Sequence, residues 1–336
     1  MIGRRLAAGL AALLLSACAT APLRGPAVTT SMAQLPGWAA EDHAAAFVAV
    51  RAACAAMPRV GRGGACAEAL ARGRLGEDAA RSFLERSFRA DPIAGEGLLT
   101  GYFSPGYEAR SVPEGDFTAP VRTAPASRDP RPDRAAIEQT PAPDALAWMR
   151  PEDLFLLQVQ GSGVLTFADG TRQRAAFAGS NGRPFVAIAK PMVAEGLIAP
   201  AEASAGIVHD WLAAHRGAEA EAVMDLDPRY IFFRLAPDDG GEPLGASGAT
   251  LIAGRSLAVD PTYHRYFELL WIDASGGGLS GARSSYQRLA VAMDRGGAIL
   301  GPVRADLFLG SGPSAGDEAA RVRHALRLYR IVPVEP

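Results

Sequence analysis

Two aspartates near the C-terminus are placed to handle a proton. The chain reads Ala292-Met293-Asp294-Arg295-Gly296-Gly297-Ala298-Ile299, then Arg304-Ala305-Asp306-Leu307-Phe308-Leu309-Gly310, so the two acids lie 12 residues apart. Asp294 closes the apolar stretch Leu289 to Met293 at a Gly-Gly turn, and Asp306 opens a second apolar stretch. The layout predicts two adjacent strands whose ends bring both carboxyl groups to one rim. A carboxyl group among apolar neighbours resists ionisation, because its charged form is poorly solvated. It can therefore hold a proton near neutral pH and act as a general acid. Asp beside a glycine turn is also ordinary turn chemistry, and these two stretches alone do not separate the readings.

The elements that would position the acids read as β. Leu98-Leu99-Thr100-Gly101-Tyr102-Phe103-Ser104 is a strand running into Pro105-Gly106, with Thr100 and Tyr102 on one face by period two. Leu154 to Phe167 reads as two apolar strands interrupted by Gln160-Gly161-Ser162-Gly163, with a hairpin turn at Ala168-Asp169-Gly170. Gln160 and Ser162 can each donate and accept, which suits sugar hydroxyls and amides. Glycine there fits either a bulge or the close approach of a ligand. Tyr230 to Phe233, Leu251 to Gly254, Phe267 to Ile272, Leu289 to Met293, the stretch from Asp306 and Leu328 to Val332 read as further strands. Asp238-Asp239-Gly240-Gly241 is a linker signal, and Val112 to Pro151 is a Pro-rich loop carrying short strands.

Helical spacing is confined to a few segments. Phe47, Val50, Cys54 and Met57 recur on one face, and Ala80, Phe83, Leu84 and Phe88 do so across Glu77 to Arg89, ended by Asp91-Pro92. Pro184 to Gly196 predicts a short helix, and Ala201 to Met224 a longer one with Ile207, Trp211 and Leu212 among its apolar positions. Cys54 and Cys66 are either two buried thiols or a disulfide, which an oxidising compartment would favour.

The compartment is legible at the N-terminus. Met1 to Arg5 is basic, Leu6 to Leu15 is apolar, and Ser16-Ala17-Cys18 follows. The run is far short of the roughly 20 apolar residues that span a bilayer, so it reads as a secretory signal over residues 1–17. Leu15-Ser16-Ala17-Cys18 matches the bacterial lipoprotein box, in which Cys18 becomes the acylated N-terminus. An ordinary cut near Ala17 or Ala19 is the alternative. Two or more acyl chains make a stable anchor, and Ala19 after the Cys points to the outer membrane. Residues 18–37 form a Pro/Ala/Thr linker able to reach roughly 60 Å at about 3.3 Å per residue.

Several function classes are excluded. The formal charge is −2, which gives no electrostatic case for nucleic acid. The five histidines and three cysteines show no metal-ligand spacing. There is no phosphate loop and no dinucleotide fingerprint. Gly312-Pro313-Ser314-Ala315-Gly316 matches the hydrolase G-x-S-x-G pattern, with Asp317 and His324 after it. Pro precedes the Ser, however, and acid and base trail in the same local segment, unlike a nucleophile elbow. The roughly 300 residues after the leader suffice for two domains.

Taken in order, Leu99 to Pro105, Val159 to Gly163, Phe177-Ala178-Gly179-Ser180-Asn181-Gly182, Tyr230 to Phe233, Leu244-Gly245-Ala246-Ser247, Met293 to Ile299 and Asp306 to Gly312 resemble the membrane-bound lytic murein transglycosylase A family. Ser180 stands where the family commonly has Lys, and Pro261 to Tyr266 lacks its Pro-Leu-Gly turn. The resemblance implies a mainly β fold with some helix. Residues 38–103 and 241–336 would form a double-psi β-barrel domain with N-terminal helices, residues 104–240 an inserted smaller β domain, and a glycan groove would run between them.

The resemblance also implies cleavage of peptidoglycan without water. Asp306 would act as acid and then base, with Asp294, Thr100, Tyr102, Gln160, Gly161 and Ser162 binding substrate or supporting the acid, and with no metal or cofactor. Its partners would be peptidoglycan strands, the outer membrane through Cys18, and cell-wall synthesis or division proteins. The rival readings are a peptidoglycan-binding lipoprotein without catalysis and a serine hydrolase using Ser314.

Overall fold

The computed structural model describes residues 29–58, 63–126, 132–200 and 203–334. The leader and Cys18 lie outside the described residues. The chain opens with β1 (Thr30–Ser31), α1 (His43–Ala56), α2 (Gly64–Ala71), α3 (Glu77–Ser87), β2 (Phe88–Pro92) and β3 (Gly97–Ser104). A middle stretch carries β4 (Gly106–Ala109), β5 (Ala119–Val121), α4 (Arg134–Glu138), β6 (Ala147–Met149), α5 (Pro151–Gln160), β7 (Gly163–Phe167) and β8 (Arg172–Ser180). It continues through α6 (Ala189–Ala194), α7 (Ala205–Ala214), α8 (Ala218–Met224) and β9 (Ile231–Pro237). The last stretch is β10 (Ser256–Val259), β11 (Leu269–Ser275), β12 (Ser285–Asp294), β13 (Arg304–Ser311), α9 (Pro313–Ala319) and β14 (Arg323–Pro333).

Six strands close on themselves in the order β3-β14-β11-β12-β10-β13, with β13 returning to β3. The pairs β10–β12 and β13–β3 are parallel, and the others antiparallel. Alternation sends Leu99, Leu257, Val259, Ala305 and Leu307 into the barrel. The intervening positions face outward, and part of that outer face, including Trp271, Leu289, Val291 and Phe308, packs against Phe47, Val50, Phe83 and Leu84 of the N-terminal helices. A disulfide between Cys54 and Cys66 ties α1 to α2, with Cα atoms 5.4 Å apart. The middle stretch builds its own sheet, β4-β7-β8-β9, over a separate core of Leu157, Leu165, Ala175 and Phe233. The architecture is thus mainly β around a closed barrel, as the sequence implies.

Several local expectations are corrected. The stretch 154–160 is helix, not strand. Pro151 occupies the first turn, Glu152 and Asp153 complement the positive end of the helix dipole, and Gly161 (φ 83°) closes it in the left-handed region. Glu77 to Arg89 divides, because the helix stops at Ser87 and Phe88 begins β2. Ala201 to Met224 is two helices, broken before Ala218 by Gly217 (φ 103°). Leu251 to Gly254 is not a strand but a turn leading to β10, with Gly254 at φ 70°. The expected linker ends early, since Thr30–Ser31 pairs with β2 and Met32 and Leu35 are buried against the helices. These apolar residues are sparse in a Pro/Ala/Thr background, which hides them from a reading by composition.

Candidate active site

The two acids sit on strands that are not neighbours, which corrects the expected adjacency. β10 lies between them, and Ala258 pairs with Asp294 of β12 on one side and with Asp306 of β13 on the other. Asp306 in turn pairs with Thr100 of β3. Asp294, Ala258, Asp306 and Thr100 therefore form one row across four strands. Strand spacing puts the two acid backbones about 10 Å apart, with only the Ala258 methyl between them.

A bulge puts Asp294 in that row. Leu257 pairs with Ala292 but Ala258 pairs with Asp294, so Met293 is skipped. Strict alternation would aim Asp294 into the barrel beside Ala292. The extra residue turns it to the outer face that Thr100 and Asp306 share, a common use of bulges at functional sites.

Asp306 is poised between two protonation states. The Thr100 hydroxyl donates to its Oδ1 at 2.6 Å, and Arg304 Nη2 donates to Thr100 Oγ1 at 3.0 Å, which commits the hydroxyl proton to the carboxylate. Burial pushes the Asp306 pKa up to about 6, against the Thr100 hydrogen bond and the Arg304 charge and with help from the Asp294 charge. Asp306 as a residue nonetheless keeps some accessible surface.

Asp294 is held differently. Its Oδ1 accepts the backbone N–H groups of Ala246 and Arg295, both at 2.9 Å, and its Oδ2 accepts the Tyr102 hydroxyl at 3.0 Å. Burial raises its pKa while these three donors oppose the rise. Burial, and then the Asp294 charge, lift the Tyr102 phenol well above its ordinary range, so it remains a neutral donor. Its ring is braced by Phe308, with centroids 5.3 Å apart.

Gln160, Gly161 and Ser162 do not touch the acids. Gln160 ends α5, and Gly161 and Ser162 follow it, beside the point where β3 leaves the barrel for the inserted sheet. There Val164 N–H donates to the Pro105 carbonyl at 2.8 Å. Gly163 is required at this crossing, because a Cβ would lie 2.9 Å from that carbonyl oxygen. Gln160 and Ser162 are half-buried, and their side chains make no hydrogen bond to the protein among the described residues. Asn181 of the glycine segment is structural, donating to the Pro132 and Pro228 carbonyls and accepting from Tyr230 N–H.

The serine-hydrolase reading is not assembled. Ser314 is exposed in the first turn of α9, whereas His324 is fully buried, packed edge-on to Tyr286 and bonded through Nε2 to the Arg283 carbonyl at 2.7 Å. Among the described residues no group of three or more His, Cys, Asp or Glu could hold a metal ion, and no helix is long and apolar enough to cross a membrane. Sequence reasoning missed Arg304 and Ala246. Period two from Asp306 would have found Arg304. The contact of Ala246 depends on a turn 48 residues away and left no signal.

Comparison with known proteins bears on this geometry. The family described as MltA specific insert domain matches residues 98–234, and the 3D domain family matches residues 255–332. Membrane-bound lytic murein transglycosylase A of Escherichia coli (strain K12) is 31% identical over 243 residues, 70% of this chain and 65% of that protein. The protein of the same name from Vibrio cholerae is 32% identical over 246 residues, again 70% of this chain, and 66% of that protein. The chain thus matches just under two thirds of the length of these relatives.

Solved structures are covered more fully. The lytic transglycosylase LtgG of Burkholderia pseudomallei is 31% identical with a TM-score of 0.64, covering 91% of this chain and 95% of that one. A membrane-bound lytic murein transglycosylase from Agrobacterium tumefaciens is 28% identical with a TM-score of 0.78, covering 91% and 97%. E. coli MltA with bound chitohexaose is 25% identical with a TM-score of 0.73, covering 87% and 90%.

Proposed function

The chain belongs to the membrane-bound lytic murein transglycosylase A family, and from that premise we propose that it cleaves the β-1,4 bond between N-acetylmuramic acid and N-acetylglucosamine in peptidoglycan without water. Protonated Asp306 gives its proton to the glycosidic oxygen as the C1–O bond breaks. The 6-hydroxyl of the same muramyl residue then attacks C1 and closes a 1,6-anhydro ring, and the Asp306 carboxylate takes the hydroxyl proton. The enzyme returns to its starting state without a second carboxylate. Carrying nucleophile and electrophile in one sugar gives the rate advantage of an intramolecular reaction.

The observation that carries this reading is the environment of Asp306, an acid held near pKa 6 with one hydrogen-bond donor, in a residue that is not fully buried. Asp294 supports it as a like charge that favours the protonated form of Asp306. Thr100 and Tyr102 orient the two carboxyl groups, while Gln160, Gly161 and Ser162 line the substrate's path beside the β3 crossing. Chitohexaose on an E. coli relative supports a groove for a linear amino-sugar polymer. Digesting purified sacculi with the protein tests the function. Fragments ending in 1,6-anhydro-muramyl groups are expected. Reducing ends would indicate a hydrolase, and no release would favour the binding-only reading.

The leader supports an anchor at Cys18 that holds the protein on the outer membrane facing the periplasm, where cell-wall synthesis or division proteins would be accessible partners. Replacing Cys18 with Ala should move the protein from the membrane fraction to the soluble one. Unchanged partitioning would refute the anchor.

A further inference from the structure

The inserted sheet meets the barrel beside Asp294, and the meeting point is cationic. Arg229, just before β9, places Nη1 where a Cβ on Gly297 would have to sit, and the Phe185 Cβ is 3.6 Å from the same point. Glycine at 297 leaves the turn after Asp294 open to that guanidinium, which a side chain there would displace. Arg295, next to Asp294, is exposed on the barrel side of the junction. The two guanidinium groups feel one another. Burial lowers the Arg229 pKa, the Asp227 charge opposes this, and the Arg295 charge lowers it further. The Tyr266 phenol lies in the same corner, within reach of both the Arg295 and the Asp294 charges.

Neither guanidinium sits in an ion pair among the described residues, although Arg229 feels the Asp227 charge and Arg295 the Asp294 charge. Among the described residues, neither guanidinium group donates a hydrogen bond or has a carboxylate within 4.0 Å. Asp227, the acid that acts on Arg229, is already occupied. Its Oδ1 accepts Val186 N–H at 3.0 Å and Arg229 N–H at 3.2 Å, and its Oδ2 faces Arg134 at 3.8 Å. Holding two like charges together, one of them half-buried, is unfavourable unless an anion joins them. Guanidinium groups suit a planar carboxylate, which they can bind through paired N–H donors.

We propose that Arg229 and Arg295 form a carboxylate subsite across the barrel–insert junction, which receives the acidic substituent of a muramyl residue. The proposal rests on the murein reading above and deepens it. A muramyl residue differs from glucosamine by a lactyl ether, which ends in a free carboxylate on peptide-free strands and carries a stem peptide with its own carboxylates otherwise. A site for that acid would set the register of an alternating polymer, so that a muramyl C1, not a glucosaminyl C1, meets Asp306.

The test is equilibrium binding in an Asp306→Asn background, where substrate is not consumed. The probes are a peptide-free muramyl–glucosaminyl tetrasaccharide, its peptide-bearing counterpart and uncharged chitohexaose. Arg229→Gln and Arg295→Gln are each expected to weaken muramyl binding by about tenfold or more, from the loss of charge-assisted hydrogen bonds, and to leave chitohexaose binding unchanged. Arg229→Lys should restore part of the loss. A larger effect on the peptide-free probe assigns the lactyl carboxylate, and a larger effect on the peptide-bearing probe assigns the stem peptide. Equal weakening of chitohexaose, or no weakening of either muramyl probe, would overturn the subsite. Failure of the murein reading looks different, because the parent protein would then bind no muramyl probe at all.

Discussion

Around Asp306 the barrel supplies one hydrogen-bond donor, the Thr100 hydroxyl. Around Asp294, in the same row of the sheet, it supplies three. Both side chains are withdrawn from solvent, and burial lifts both pKa values. The difference lies in what opposes that lift. Two backbone N–H groups and a phenol converge on Asp294 and stabilise its anion, whereas Asp306 has a single hydroxyl and a cation one group further away, at Arg304. Two chemically identical residues thereby meet different surroundings, which suit the proposed roles of proton donor for Asp306 and fixed charge for Asp294.

The largest test of this contrast is Asp306→Asn, which should preserve fold and glycan binding while turnover collapses. General acid–base help alone is worth about 10²–10⁴-fold. The loss should reach or exceed the top of that range, because in the proposed mechanism one group makes both transfers. Near-normal anhydro product from this variant would break the comparison outright. Asp294→Asn should be milder, about 10–10²-fold on the same scale of proton-transfer effects. Its kcat/KM should also fall away at lower pH than in the parent, since removing a like charge lets Asp306 ionise earlier.

Stability should move the opposite way from activity. An acid whose folded-state pKa is about 6, against 3.8 otherwise, binds more protons folded than unfolded between those values. Stability therefore declines as pH rises through that window and stays lower above it. Asp306→Asn removes the penalty, so the variant should be more stable than the parent at pH 7 by up to about 3 kcal/mol and equal to it below pH 4. Thermal unfolding at both pH values reads this directly. A destabilised variant at pH 7 would mean that Asp306 is a structural residue.

The smallest effect concerns Thr100→Val. The parent's kcat/KM should fall tenfold per unit as pH rises above about 6, because catalysis begins with protonated Asp306. Deleting the hydroxyl removes a donor that favours the carboxylate and should move that decline upward by about one unit. A downward shift would show that Thr100 accepts from Asp306 instead of donating to it.

Much of the frame was legible before the structure. The apolar run ending at Asp294 and the one starting at Asp306 are strands, and Phe47 to Cys54 lies on one buried helix face. These are periodic patterns, which a chain shows one element at a time. The site's geometry was not legible, because it depends on strands far apart in sequence. Ser256 to Val259, the short strand separating the two acids, is buried throughout and too short to show alternation. The bulge at Met293 leaves no mark in composition, yet it decides which way Asp294 faces. The helix ending at Gln160 was hidden because its buried side, Leu154, Phe155 and Leu157, forms a run as compact as a strand. The end signals at Pro151 and Gly161 decide for helix.

Titration of the two carboxyl groups by isotope-edited NMR, with Asp306→Asn and Asp294→Asn used to assign them, bears most directly on the claim that environment divides their roles. Asp306 should titrate near 6, with a midpoint that falls when Asp294 is replaced. An Asp306 midpoint near 3.9, the ordinary value for an exposed aspartate, unaffected by Asp294→Asn, would contradict that claim.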